Sequence, residues 1–256
     1  MLVLISPAKK LDFENAAPCK DFTKPRFQKQ TGELVTLAKK LSCADLAQLM
    51  RLSDKLAELN YVRYQSFQPE FTPDNAKQAL FAFRGDTYVG LDADSLSQDD
   101  LKYAQDHLRI LSGLYGTLRP LDLMQPYRLE MGTKFKNPKG EDLYDFWQGL
   151  LTDAVNDDVA AHKNRVVVNL ASNEYIKAVD PKALDAEFIT PHFKEIKDGK
   201  AKIIGLLAKR ARGAMARYII QNRIEDPEEL QKFAEDGYRF RPDLSKDSEP
   251  VFTREK

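Results

Sequence analysis

Arg165-Val-Val-Val-Asn-Leu-Ala171 runs directly into Ser172-Asn-Glu-Tyr175. Val166, Val167 and Val168 follow one another with no polar alternation, which is the pattern of a buried strand. Ser172 then stands where an N-cap belongs, so a helix starts at once. Leu2-Val-Leu-Ile5 has the same continuous apolar character and is closed by Ser6-Pro7. Proline has no N–H to give to a ladder, so the strand stops there. Buried strands set among helical segments make an α+β protein the simplest reading. It would be a single body over 1–256, with a mixed sheet and surrounding helices.

Working outward, residues 26–41 and 43–66 carry helical spacing. Leu46, Leu49, Leu52, Leu56 and Leu59 fall on one face. Thr72-Pro73-Asp74 reads as a helix start with proline in the first turn. Ser97-Gln-Asp-Asp100 caps a helix through about residue 107. The stretch 81–91 is open between helix end and strand, and 142–161 is helical. Residues 187–205 read as a hairpin turning at Asp198-Gly199. Residues 206–222 form a long helix and 227–233 a short one. An edge strand within an acidic tail, about 225–256, completes the chain.

The chain has 256 residues, is 43% hydrophobic and has a formal net charge of zero. That composition supports a sizeable core and argues against disorder. No apolar run is long enough to span a membrane. The apolar N-terminal run is too short, and lacks the basic flank, for a signal peptide. Two cysteines, Cys19 and Cys43, make no disulfide framework, which fits a reducing cytoplasm. A cytoplasmic monomer with no membrane association is expected.

The zero net charge hides segregation. Residues 201–224 hold six basic residues and no acid, and 140–162 hold six acids and no Lys or Arg. Such blocks predict a bipolar surface. Within the long helix, Leu207, Ala211, Ala214, Met215 and Tyr218 fall in one sector, the expected core face. Lys209, Arg210, Arg212 and Arg217 fall outside it. A solvated helix interleaves acids with bases; this one does not, so an anionic partner is expected. Gly213, amid the basic residues, costs about 1 kcal/mol against alanine. Close approach of a ligand or of another backbone would offset that cost.

Residues 107–139 are also basic, with six Lys or Arg against two acids. Here Leu111-Ser-Gly-Leu-Tyr-Gly116 resembles the turn of a helix-hairpin-helix element spanning about 98–125. In such turns Gly113 and Gly116 would let backbone N–H groups reach phosphate. Arg109, Arg119, Arg128 and Lys134 surround it, and Tyr115 and Tyr127 could stack on bases or sugars or belong to the core. The two glycines stand one residue further apart than in a tight hairpin, and Pro120 interrupts a following helix unless it lies in the first turn.

No phosphate loop, paired-glycine dinucleotide fingerprint or Gly-x-Ser-x-Gly elbow is present. His107, His162 and His192 lack metal-ligand spacing. No metal and no cofactor is expected.

Leu108-Arg-Ile-Leu-Ser-Gly-Leu-Tyr-Gly-Thr-Leu-Arg-Pro-Leu-Asp-Leu-Met-Gln-Pro-Tyr-Arg-Leu-Glu-Met-Gly132 resembles the bacterial YaaA family of peroxide-stress-response proteins. So do Ser6-Pro-Ala-Lys9, Met50-Arg-Leu-Ser-Asp-Lys-Leu-Ala57, Phe83-Arg-Gly-Asp-Thr-Tyr88, Asn169-Leu-Ala-Ser-Asn-Glu-Tyr175 and Ala208-Lys-Arg-Ala-Arg-Gly213. These blocks cover essentially the whole chain. Lys10 stands where the family pattern leads one to expect threonine. The resemblance implies an α+β fold with a basic cleft and a helix-hairpin-helix element. It implies DNA binding, branched DNA included, and a role in limiting free iron and DNA damage under peroxide stress. No settled enzymatic activity comes with it.

These observations support two functions. In the first, the two basic segments meet as walls of a cleft that holds DNA phosphates with little base readout. Its residues are Arg109, Gly113, Tyr115, Gly116, Arg119, Arg128, Lys134, Lys209, Arg210, Arg212, Gly213 and Arg217. In the second, an enzyme acts on a small phosphorylated or carboxylated molecule in the same cleft. Ser6, Lys9, Glu130, Ser172 and Glu174 would then form the pocket, by analogy with ligand groups at strand ends in open sheets. A lysine crowded by arginines suits a base or nucleophile. DNA binding is the preferred reading.

Overall fold

The two continuous apolar runs pair side by side. Leu2–Ile5 and Val166–Leu170 are parallel neighbours, with Ile5 opposite Leu170, in a computed structural model that describes residues 1–255. Leu108–Ser112 lies parallel on the other side of the first strand, and Glu187–Ile189 extends the sheet beyond Val166–Leu170. Gly116–Leu118 closes the far edge antiparallel. The order is 116–118, 108–112, 2–5, 166–170, 187–189. Every residue of the three inner strands is buried, which is why their sequences do not alternate.

A second sheet has the order Lys200–Lys202, His192–Lys197, Val251–Glu255, Arg239–Phe240. A short ladder pairs Lys10–Leu11 with Phe83–Arg84 and sets Lys10 opposite Arg84. It draws the loop after the first strand against the helix Asp86–Leu91. The long helix, Gly205–Asn222, packs on that short helix with the backbones in contact. A Cβ on Gly213 would stand 1.8 Å from the Thr87 carbonyl oxygen. One on Gly90 would stand 2.0 Å from the Arg210 carbonyl oxygen. Of the two reasons foreseen for Gly213, the neighbouring backbone is the one the structure supplies.

Several elements differ from expectation. Residues 43–66 form two helices, Cys43–Met50 and Asp54–Gln65, because Arg51 turns left-handed at φ 51° and Ser53 starts afresh. The second helix is thereby rotated: Ala57, Asn60 and Tyr64 face inward, and Leu56 and Leu59 are exposed. Thr72-Pro73-Asp74 makes a turn leading to the strand Lys77–Gln78, and the helix comes after it at Ala79–Ala82. The open stretch 81–91 contains that helix's end, a two-residue strand and a second helix. Residues 142–161 split into Leu143–Trp147 and Leu150–Ala160 at Gly149, whose φ is +77°.

The Ser97–Asp100 capping box is formed and starts the helix Gln98–His107. That helix gives way to the strand pair 108–112 and 116–118, so the segment expected to be helix-hairpin-helix is a helix and then a β-hairpin. The apolar, β-branched content of Leu108–Leu118 serves the sheet. Asp198 and Gly199 turn the hairpin at φ 53° and 70°, but Glu187–Ile189 belongs to the other sheet. Val251–Glu255 is an inner strand of the second sheet, with Val251, Phe252 and Thr253 buried. The tail thus gives Leu230, Phe233, Tyr238 and Phe252 to the core, which its acidic composition conceals.

Candidate functional site

Ligands of open parallel sheets sit outside the carboxyl ends of the strands, where neighbouring strands lead the chain to opposite sides. Here that point lies between 2–5 and 166–170: the former has Leu108–Ser112 beyond it, the latter Glu187–Ile189. In-register pairing ends both strands together, so Ser6 and Ser172 meet. The Ser172 N–H donates to Ser6 Oγ at 2.9 Å, and the two hydroxyl oxygens are 3.4 Å apart. The Tyr88 hydroxyl donates to the Ser6 carbonyl at 3.2 Å, which fixes the loop from beneath.

A cavity of about 300 Å³ opens at this junction. Four segments build its walls. The loop after the first strand brings Ser6, Lys9 and Lys10; residues 84–88 bring Arg84, Asp86 and Tyr88. Residues 127–130 bring Tyr127, Arg128 and Glu130, and the long helix brings Lys209 and Arg212. Leu170, Ser172, Glu174 and Tyr175 complete it. Burial raises the hydroxyl pKa of Tyr88, Tyr127 and Tyr175 far above its ordinary value, so all three rings are neutral walls.

The acids are largely engaged. Glu130 pairs with Lys9 at 2.8 Å and with Arg128 at 3.2 Å. Glu174 accepts the Gly132 N–H at 3.0 Å, and its carbonyl accepts the Tyr144 hydroxyl at 2.8 Å. Asp86 contacts Arg210 at 3.4 Å. Arg84 is turned to Asp12 and Asp94, at 3.3 and 3.1 Å. By contrast, no carboxylate lies within 4.0 Å of Lys209 or Arg212 among the described residues. Arg212 is partly buried, and burial lowers its pKa from the usual arginine value. A cation drawn from water without a partner is costly, and an anion in the cavity would relieve it.

The structure thus brings together Ser6, Lys9, Arg128, Glu130, Ser172, Glu174, Lys209 and Arg212. It engages the others elsewhere. Arg109 is buried, donating to Asp158 at 2.7 Å and to the Gln105 and Leu108 carbonyls. Arg119 donates to Asp122 at 2.9 Å and to the Lys24 carbonyl at 3.1 Å. Tyr115 is buried, with its hydroxyl donating to the Gln125 carbonyl at 3.1 Å. A Cβ on Gly113 would lie 2.4 Å from the Leu129 carbonyl oxygen. Gly116 turns at φ +70° under Trp147. These two glycines serve internal packing.

Arg217 donates to the Leu91 and Asp92 carbonyls at 3.0 and 2.7 Å and lies 3.5 Å from the Asp92 carboxylate. With Arg210 on Asp86, this side of the long helix faces acids on the helix it crosses. Lys134 is exposed, two residues beyond the Gly132 contact with Glu174. The residues missed were Lys10, Arg84, Asp86 and Tyr88. The signal for the last three was present in Phe83-Arg-Gly-Asp-Thr-Tyr88, a compact polar-aromatic block. Among the described residues no group of three or more His, Cys, Asp or Glu is placed to hold a metal ion. Among the described residues no helix is long and apolar enough to cross a membrane, and Cys19 and Cys43 are free.

Fold and site together define an α+β protein with a cation-rich cavity at the carboxyl edge of a mostly parallel sheet. The family model described as peroxide stress protein YaaA matches residues 1–244, and the chain belongs to that family. A UPF0246 protein of Alteromonas mediterranea is 56% identical over 254 residues, covering 99% of this chain and 98% of its own length. UPF0246 proteins of Saccharophagus degradans and Shewanella amazonensis are 55% and 53% identical over 256 residues, the full length of both chains in each comparison.

Proposed function

We propose that this chain is a DNA-binding protein of the peroxide stress response that helps limit intracellular free iron and oxidative damage to DNA. Family membership supplies the stress context. Lys209 and Arg212 carry the DNA reading. They stand about one turn apart on the long helix and line the cavity, with no carboxylate partner among the described residues. Cations left free in this way hold phosphates and contribute affinity independent of sequence. Lys200 and Lys202, on the hairpin that leads into the helix, and Lys134 are exposed and would add to sequence-independent phosphate contacts.

The test is fluorescence anisotropy of labelled duplex and four-way-junction DNA across a salt series. Wild-type affinity is expected to fall steeply with salt. Lys209→Glu with Arg212→Glu is expected to abolish binding. Arg210→Glu with Arg217→Glu should weaken it far less, because those charges face Asp86 and Asp92. Salt-insensitive binding, or full binding by the Lys209/Arg212 variant, sinks the proposal.

A further inference from the structure

Contacts to a DNA backbone through Lys209 and Arg212 leave the Ser6, Ser172 and Arg128 walls of the cavity unexplained. A phosphodiester in a DNA strand carries a nucleoside on each side, which limits how far it enters a half-open cavity. A phosphate monoester carries one organic group and can enter phosphate first. The cavity, at about 300 Å³, is at the small end of the range for small-molecule sites. That suits a ligand of the size of a pentose phosphate or mononucleotide.

The charge balance of the walls fits a dianion. Glu130 is already countered by Lys9 and Arg128. Lys209, Arg212 and Lys10 remain without a carboxylate partner among the described residues, and Glu174 is held by the Gly132 N–H rather than by a cation, so the walls keep a net positive charge that a monoester dianion would balance. Three further donors are available. Arg128 Nε is buried and makes no hydrogen bond among the described residues. The hydroxyls of Ser6 and Ser172 stand together at the strand ends, in weak contact at 3.4 Å. Leu170 and Tyr127, also in the lining, offer an apolar surface for the organic part.

We infer that the cavity binds a phosphate monoester carried on a pentose or nucleoside. The phosphate lies between Lys209, Arg212 and the Ser6–Ser172 pair. This rests on the same anion site as the DNA reading but goes beyond it in requiring a terminal phosphate. Such a group has two sources, a free metabolite and the 5′-phosphorylated end of a DNA strand.

Calorimetric titration with ribose 5-phosphate, adenosine 5′-monophosphate, thymidine 5′-monophosphate and adenosine addresses the first source. Anisotropy of one duplex with a 5′ overhang, carrying either a 5′-phosphate or a 5′-hydroxyl, addresses the second. At least one monoester is expected to bind, and adenosine to bind more weakly by about tenfold or more. Arg212→Ala and, independently, the exposed-site variant Lys209→Ala should each weaken the monoester by about tenfold. Arg210→Ala should not.

Monoester binding without any DNA binding supports the inference with a metabolite as ligand and overturns the DNA reading. A preference for the 5′-phosphorylated duplex, competed by a monoester, supports both. DNA binding that ignores the 5′-phosphate, with no monoester binding, overturns the inference and leaves the DNA reading standing. Failure of every probe to bind removes both.

Discussion

Tyr103, His107 and His162 stack face to face at the amino end of the first strand, with centroids 3.8 and 4.4 Å apart. His107 Nδ1 meets the Met1 carbonyl at 2.9 Å. Burial, then the nearby N-terminal ammonium and His107, lower the His162 pKa from 6.5 to about 4. Burial also lowers that of His107. The folded protein therefore binds fewer protons than the unfolded chain between these values. Stability from this stack should be complete above about pH 6.5 and be lost as pH falls toward about 4. Urea unfolding between pH 7.5 and 4 should show the loss, reduced in His162→Phe. An unchanged pH dependence in that variant would remove the stack from the explanation. The lone histidines were legible as structural in the sequence, but their stacking was not, because it joins residues 55 positions apart. Arg109 teaches the same lesson. Its charge could be read directly; its partner Asp158 could not.

At the scale of elements, the crossing of the long helix on Asp86–Leu91 decides which cations remain free. Gly90 and Gly213 let the two backbones touch. That contact places Arg210 and Arg217 over Asp86 and Asp92, and leaves Lys209 and Arg212 to the cavity. Gly213→Ala should force the helices apart and cost about 2–3 kcal/mol, with weakened anion binding. Gly32, in the helix Gln28–Ala38, has open space where a methyl would stand, with nothing within 4 Å. Gly32→Ala should therefore stabilise by about 0.4–1 kcal/mol. Denaturation midpoints of the two variants moving the same way would contradict this account. Periodicity located the long helix to within one residue, Gly205 against an expected 206. It placed the face in part: Ala211, Ala214 and Met215 are buried, but Leu207 and Tyr218 are only partly so, and Ala208 and Ile219 join the core. A helix clasped from more than one side has no single apolar stripe to read.

At the scale of the whole molecule, the last strand ties the acidic tail into the second sheet. Phe252 is fully buried and stacks on Phe193 at 5.5 Å. Buried Glu195 accepts the Tyr238 hydroxyl at 2.6 Å and Arg254 Nε at 2.9 Å. Ending the chain at Leu244 removes Val251–Glu255 from between its two neighbours. Hydrogen exchange should then show lost protection at 192–197, with the strands 2–5 and 166–170 still protected. Continued protection at 192–197 would count against the strand's role. Because the hairpin 192–202 leads into the long helix, anion binding should also fall.

The sequence by itself determined the family, the α+β class, the buried strands, the capped helix at Ser97 and the long basic helix. Those are local properties: apolar continuity, capping chemistry and charge composition act within a few residues. Only the tertiary structure decided what the charges do. It gave Arg109, Arg210 and Arg217 to partners distant in the chain or on a crossing element, held Arg119 on Asp122 of its own turn, and put a β-hairpin where the second part of a helix-hairpin-helix was expected. It gathered Ser6, Lys9, Arg128, Glu130, Ser172, Lys209 and Arg212 around one cavity. A cation is neutralised by whatever carboxylate lies within a few ångströms, and that distance is set by strand register and helix crossing, which no single segment encodes.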